Sequence, residues 1–348
     1  MLSTREKNEC LEVRLMRRDE EASLVEFYSA NQQARRKFYE LWEWRKKAAS
    51  HRETGLAVIA KDKETVVGSV GLVPACVTLG GSRIRGCWQQ DSLVSSNMRG
   101  KGVGRKLIEE GNRSHSLTLA KGSNEGMYRL RKSLGYVDVG KSDYLLRVCR
   151  PRLTDHSLKR RIFERSLACW KRMVPLPRID SSLTVEKVDY FDESFDWLAE
   201  QLSKELVLRI HKNQSYLNWR YFQYPSKEYI VLRAGEEQAR GALVLNITGD
   251  STDEGWIVDL ICLERDRACA YALLNYGVKI LEEKKVSRVW VFSTLVSARR
   301  WLIRFGFLPT RITPRFTYKL NSEKALSDSV SKAPWDFWHG DGDIELYM

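Results

Sequence analysis

The stretch from Trp88 to Gly111 restricts the fold more than any other part of the chain. It begins as an apolar and β-branched run through Ser92, Leu93 and Val94 and turns through Arg99-Gly100-Lys101-Gly102-Val103-Gly104. It then continues as Arg105-Lys106-Leu107-Ile108-Glu109-Glu110 with helical character, and Gly111 is its expected stop. A strand that turns through alternate glycines into a helix aims several unpaired backbone N–H groups at one point, with the positive end of the helix dipole behind them. That is an anion cradle, suited above all to phosphate. A Cβ at Gly100, Gly102 or Gly104 would hold a pyrophosphate off the backbone or forbid positive φ. Arg99, Lys101 and Arg105 add mobile charge around it. A bare GxGxG also suits a plain basic turn, but the strand before it and the helix after it favour the cradle. No Gly-Lys-Ser/Thr follows, which excludes a Walker loop, and the next strand candidate, Ser116 to Lys121, ends in lysine and glycine where a dinucleotide site wants an acid.

The stretch has a copy. Trp256 laid on Trp88, an offset of 168 residues, aligns Asp259 with Asp91 and Arg267 with Arg99 without a gap. Gly306-Phe307 answers Gly135-Tyr136 at a slightly larger offset, and the order of strands and helices from Leu183 onward repeats that of the first half. An internal repeat of this length argues for two copies of one domain. In the second copy Gly100, Gly102 and Gly104 become Ala268, Ala270 and Ala272. Each alanine disfavours positive φ and favours helix, so the second loop is expected to continue as plain helix and not to wrap a pyrophosphate.

The first copy resembles the GNAT superfamily of N-acetyltransferases. The acyl-CoA pyrophosphate pattern (Arg/Gln)-x-x-Gly-x-(Gly/Ala) falls on Arg99, Gly102 and Gly104, with Asn124 opening a later helix and Gly135-Tyr136 closing it. The resemblance covers roughly Val13 to Val148 and implies an acetyl-CoA (coenzyme A) cofactor. Arg99, Gly100, Lys101, Gly102, Val103, Gly104 and Arg105 would hold the pyrophosphate, backbone groups near Leu93 and Val94 the pantetheine and thioester carbonyl, and Asn124 would sit near the pantetheine arm. The family's usual acid is a Tyr four residues before the closing glycine, and here that position is Arg131. Tyr128, three residues earlier on the same helix, either points into the same space or is a core aromatic. For the base, Asp91 in a largely apolar strand has an environment that favours proton acceptance, with Gln89 or Gln90 holding a water as the alternative. Asp91 is equally readable as a structural partner for a basic residue, a reading its counterpart Asp259 supports.

The expected fold class is α+β (mixed α/β), two tandem GNAT-like domains each with a mostly antiparallel central sheet flanked by helices. The 348 residues suit two domains. The expected boundaries are 1–149 for the domain with the acyl-CoA site, 150–180 for a basic connector with one helix, and 181–348 for a degenerate copy with an aromatic and acidic tail. Basic residues bring the formal charge to +13, yet they are spread through the chain and form no nucleic-acid signature. Coenzyme A, with three phosphate groups, accounts for part of the excess. Peripheral membrane contact through the Trp-bearing connector is the alternative to a docked linker. The seven cysteines and five histidines form no ligand pairs, so no metal is expected. With no apolar signal-peptide core or membrane span, the expected location is cytoplasmic.

The expected activity is transfer of an acetyl group to a primary amine of a small polar acceptor, an amino sugar or a related cell-envelope precursor, by direct attack in a ternary complex. The alternatives are an aminoacyl- or peptide-modifying acyltransferase and a non-catalytic module that keeps a CoA site. The run Trp335 to Asp343, with Tyr216, Trp219, Arg220 and Tyr221, is the candidate acceptor side, or else it packs back across a domain.

Overall fold

Alternating apolar and polar residues bounded by Gly and polar turns give two sheets, and 3.6-residue apolar spacing gives the helices that cover them. The computed structural model describes residues 11–31, 38–48, 56–140, 142–150, 166, 177, 183–225, 227–248, 254–321 and 330–342. The expected connector therefore lies almost wholly outside the described residues. In chain order the elements are β1 (Leu11–Leu15), α1 (Glu21–Asn31), α2 (Phe38–Lys46), β2 (Ala57–Asp62), β3 (Thr65–Leu79), β4 (Ser82–Val94), α3 (Val103–Arg113), β5 (Leu117–Lys121), α4 (Glu125–Ser133), β6 (Val137–Asp138) and β7 (Leu145–Val148). The second half adds β8 (Val185–Val188), α5 (Ser194–Ser203), β9 (Leu208–Ile210), α6 (Gln214–Leu217), β10 (Tyr229–Ala234), β11 (Gly241–Thr248), β12 (Glu254–Cys262) and α7 (Arg267–Glu283). It closes with β13 (Arg288–Val291), α8 (Val296–Arg304), β14 (Leu308–Pro309), β15 (Phe316–Leu320) and β16 (Trp335–Asp336).

The chain divides into two compact units that are not contiguous in sequence. Unit 1 draws on Met1–Val77, Arg83–Val139 and Arg315–Ser331, and unit 2 on Thr78–Ser82, Gly140–Pro314 and Lys332–Met348. Unit 1 orders its strands β1-β2-β3-β4-β5-β15-β6, and unit 2 orders them β14-β7-β13-β12-β11-β10-β8. Both sheets are mostly antiparallel, with parallel pairs at β4–β5 and β12–β13. The closing strands are exchanged between the halves. β7, which the sequence places at the end of the first domain, pairs with β13 and β14, while β15 pairs with β5 over its whole length and with β6. Either strand has the alternation to close either sheet, so local pattern does not specify the partner.

In unit 1, Val103, Leu107 and Ile108 of α3 bury one face against Val58, Val70 and Leu72 of the sheet. Each such side chain stabilises the unit by roughly 1.5–3 kcal/mol. Gly111, expected to end this helix, lies inside it. The Gln89 side chain fills the space a Cβ there would need, so this glycine serves packing. In unit 2, α7 lies on β11, where Gly277 allows the helix to approach Leu243.

Candidate functional site

Unit 1 carries an opening in its sheet and a bare helix end beside it. The parallel pairing of β4 with β5 spans only Gly86–Trp88 against Leu117–Leu119, although β4 runs on to Val94. From Gln89 onward the two strands separate, and Asp91, with φ of +50°, marks the irregularity in β4. After β4 the chain makes one short helical turn, Ser96–Met98, and enters the glycine loop. Gly100 and Gly102 take φ of +76° and +78°, the conformation that only glycine adopts without strain. Gly102 is the N-cap of α3 and has no side chain to cap it, and the first intrahelical hydrogen bond runs from Lys106 N–H to Gly102 O at 3.2 Å. The N–H groups of Val103, Gly104 and Arg105 therefore head the helix without a side-chain cap.

The loop cations are exposed and held by weak local contacts. Arg99 Nε donates to Val94 O at 3.1 Å, Lys101 Nζ lies 3.8 Å from Met98 Sδ, and Arg105 donates to Ser133 Oγ at 2.8 Å. Gly104 is helical. A Cβ there would meet only Leu130 and Val94 at 3.8–4.0 Å, so the protein's own packing does not demand that glycine. Asn124 caps α4, its Oδ1 accepting from Met127 N–H at 2.9 Å.

Asp91 is not a solitary carboxylate in an apolar strand. Its Oδ2 lies 2.5 Å from Nη2 of Arg45, with both side chains buried, and its backbone carbonyl accepts from Tyr28 OH at 2.6 Å. Gln90 Oε1 accepts from the same guanidinium at 3.2 Å. α1 and α2 thus brace β4 where it leaves β5, through an ion pair that sequence spacing does not reveal. Arg131, at the usual acid position, is buried and donates to Gln89 O at 3.1 Å and to Ser123 Oγ. Burial lowers its pKa. Gln89 itself joins Asn112 and Tyr136 in a buried network, with Tyr136 OH 2.7 Å from Asn112 Oδ1 and 2.9 Å from Gln89 Oε1.

Tyr128 does not share the space of Arg131. Its hydroxyl lies 3.1 Å from both carboxylate oxygens of Asp138 on β6, and the Arg315 guanidinium sits over its ring at 4.8 Å. The hydrogen bond to Asp138 raises its pKa, so the phenol keeps its proton at neutral pH.

The corresponding region of unit 2 is closed. α7 begins at Arg267, four residues earlier than the repeat register places the start of α3, so the loop has become one more helical turn. Its end is capped: Asp266 Oδ1 accepts from Cys269 N–H at 3.1 Å. Asp259 is fully buried, 2.7 Å from Lys212 Nζ and 2.7 Å from Tyr221 OH. Burial pushes its carboxyl up to about 6, with Lys212 opposing. The run from Trp335, read as a candidate acceptor surface, packs back inside this unit. Trp335, Phe337, Trp338, His339 and Asp341 are all buried, and Arg220 Nε donates to Gly340 O at 2.9 Å. Trp219 and Tyr221 are buried too, Trp219 with its ring 5.6 Å from that of Tyr216 and Tyr221 with its ring 6.3 Å from that of Phe191.

Among the described residues, no group of three or more His, Cys, Asp or Glu is placed to hold a metal, and no helix is long and apolar enough to cross a membrane.

No protein-family model matches the sequence, and no curated protein matches it. Solved structures do match. An N-acetyltransferase from Anabaena variabilis superposes with a TM-score of 0.64 at 13% identity, covering 90% of this chain and 73% of its own. The fold is that of the GCN5-related N-acetyltransferases. A probable N-acyltransferase from Enterococcus faecalis matches the GNAT fold of this chain with a TM-score of 0.65 at 13% identity, over 90% of this chain and 72% of the other. The Saccharomyces cerevisiae N-myristoyltransferase, solved with myristoyl-CoA, matches with a TM-score of 0.55 at 13% identity, over 91% and 84%.

Proposed function

We propose that the chain is a CoA-dependent N-acyltransferase with one working site, in unit 1, that moves an acetyl group from acetyl-CoA to a primary amine of a small polar acceptor. The observation that carries this reading is the uncapped N-terminus of α3 behind Gly100 and Gly102, beside the separated ends of β4 and β5. The N–H groups of Val103 to Arg105 would receive the pyrophosphate, with Arg99, Lys101 and Arg105 around it. The β4 edge through Leu93 and Val94 would take the pantetheine arm, with Asn124 close to it. The amine attacks the thioester carbonyl directly, the C–N bond forms, the C–S bond breaks, and the amine proton passes to solvent while the thiolate is protonated.

In this reading Asp91 positions β4 and does not take the amine proton, a role supported by the pairing of its carboxylate with the buried Arg45. The thiolate takes its proton from solvent in this reading, because the Tyr128 hydroxyl is engaged by Asp138 and does not share the space of Arg131. Transfer to an amino sugar or cell-envelope precursor belongs to the same proposal. The myristoyl-CoA of the yeast neighbour makes a longer acyl chain the second reading.

Calorimetric titration with acetyl-CoA, followed by a thiol-release assay over a panel of amines, tests the proposal. Binding in the micromolar range with amine-dependent thiol release supports it. Absence of binding overturns the CoA reading, binding without release leaves a binding module, and release only with long-chain acyl-CoA favours the second reading. Tyr128→Phe is expected to leave kcat and its pH profile unchanged; a lowered kcat with loss of the alkaline limb would make Tyr128 the acid and overturn this part of the reading.

A further inference from the structure

In unit 2 the strands β12 and β13 pair in parallel through Ile257 and Val291 and then separate, as β4 and β5 do in unit 1. The gap beyond them is not empty. The Gly340 N–H donates to Val258 O at 2.8 Å on the β12 side, and Thr294 N–H donates to Phe337 O at 3.0 Å on the β13 side. Trp338 forms an antiparallel bridge with Ser293 and joins the core of Ile257, Val291 and Leu295. The His339 ring stacks on Trp256 at 4.5 Å. A segment that hydrogen-bonds to one strand on its left and to the continuation of the next on its right occupies the opening between them.

We infer that residues 337–340 are a built-in occupant of the second cofactor opening, so that unit 2 is liganded by its own chain and each protein molecule takes a single CoA. Two independent features stand where two parts of a CoA would go. The backbone of 337–340 supplies amide groups between the diverging strands, and the Asp266 carboxylate takes the Cys269 N–H at the helix end, where a phosphate would otherwise sit. The segment is fastened by charge. Lys212 Nζ reaches Asp259 on β12 at 2.7 Å and Asp341, just past the segment, at 3.1 Å. Gly340 is required by contact, because a Cβ would run into Val258 at 2.9 Å and into the Tyr221 hydroxyl. A buried lysine shared by two buried carboxylates makes release of the segment costly, since withdrawal would break that cluster.

The single-site statement rests on the reading of unit 1 as the cofactor site, whereas the occupancy of unit 2 does not. Two measurements on the full chain separate them. Acetyl-CoA titration of the wild type is expected to give one site per chain, and the double variant Gly100→Ala/Gly102→Ala none. Amide hydrogen exchange of the wild type is expected to place Gly340 and Thr294 among the slowest amides of unit 2, with no change on adding acetyl-CoA. Two sites per chain, a site that survives in the double variant, or rapid exchange at Gly340 and Thr294 would overturn the inference. If no acetyl-CoA binds at all, the proposed function fails, and slow or fast exchange still decides the occupancy of unit 2.

Discussion

α3 and α7 stand at equivalent places in a repeated sequence and differ at their first turn. α3 starts after two glycines at positive φ and carries no side-chain cap, whereas α7 starts one turn earlier on alanines and is capped by Asp266. On the proposed reading, the difference is what separates a ligand cradle from a structural helix. A few Cβ atoms select helical backbone, and one carboxylate supplies from within the anion that, on the proposed reading, the other end takes from outside. The same contrast holds between the strands, where β4 and β5 leave an opening and β12 and β13 enclose residues 337–340.

The comparison can be broken at the acidic residue that both copies share. Asp91→Asn takes the charge away from the fully buried Arg45 and is expected to cost roughly 3–5 kcal/mol in denaturant unfolding. Asp259→Asn should cost less, because Lys212 keeps Asp341. An equal or reversed order would show that the two carboxylates do not do parallel work. Gly100→Ala/Gly102→Ala is expected to weaken acetyl-CoA binding by roughly 100-fold or more, the equivalent of two charge-assisted hydrogen bonds. Its own folding cost is about 1–2 kcal/mol per site from positive φ, since the space around both Cβ positions is open.

The reverse exchange is a sharper test. Ala268→Gly/Ala270→Gly/Ala272→Gly should destabilise α7 by about 1 kcal/mol per glycine without creating a CoA site. A second binding event in the titration would show that the alanines, and not residues 337–340, keep unit 2 closed. Asp266→Ala should cost about 1 kcal/mol in unfolding and leave acetyl-CoA affinity unchanged. The last effect shows only in acid and lies in unit 1 away from its loop. The paired hydrogen bonds from Arg14 at 2.6 and 2.7 Å hold the Glu20 carboxyl down at about 2. Its contribution to stability is therefore complete above about pH 4.3, the ordinary glutamate value, and is lost as the pH falls through about 2. Glu20→Gln should flatten that part of the acid unfolding curve and leave the rest unchanged.

The elements themselves were legible in the sequence, because period and turn chemistry are local. β3 falls on Thr65–Leu79 as read, α4 is opened by Asn124 as read, and the alanine-bearing loop is helix. The glycine loop was legible for the same reason, since positive φ at Gly100 and Gly102 is a demand written at those positions. Strand partnership was not. β7 and β15 carry patterns that fit either sheet, and their exchange is decided by packing over more than a hundred residues of intervening chain. Side-chain partnership was equally hidden. Nothing in the spacing joins Arg45 to Asp91, Tyr128 to Asp138 or Arg131 to the Gln89 carbonyl. The composition of the aromatic and acidic run from Trp335 left a binding surface and a packed-back segment both open, and Trp335, Phe337, Trp338, His339 and Asp341 are interior to unit 2.

Backbone amide NMR of the deuterated full chain during an acetyl-CoA titration tests the central claim most directly. The account predicts that the amides of Gly102, Val103, Gly104 and Arg105 shift progressively and saturably while those of Cys269 to Ala272 stay in place. Shifts confined to the α7 end, or at neither helix end, would contradict it.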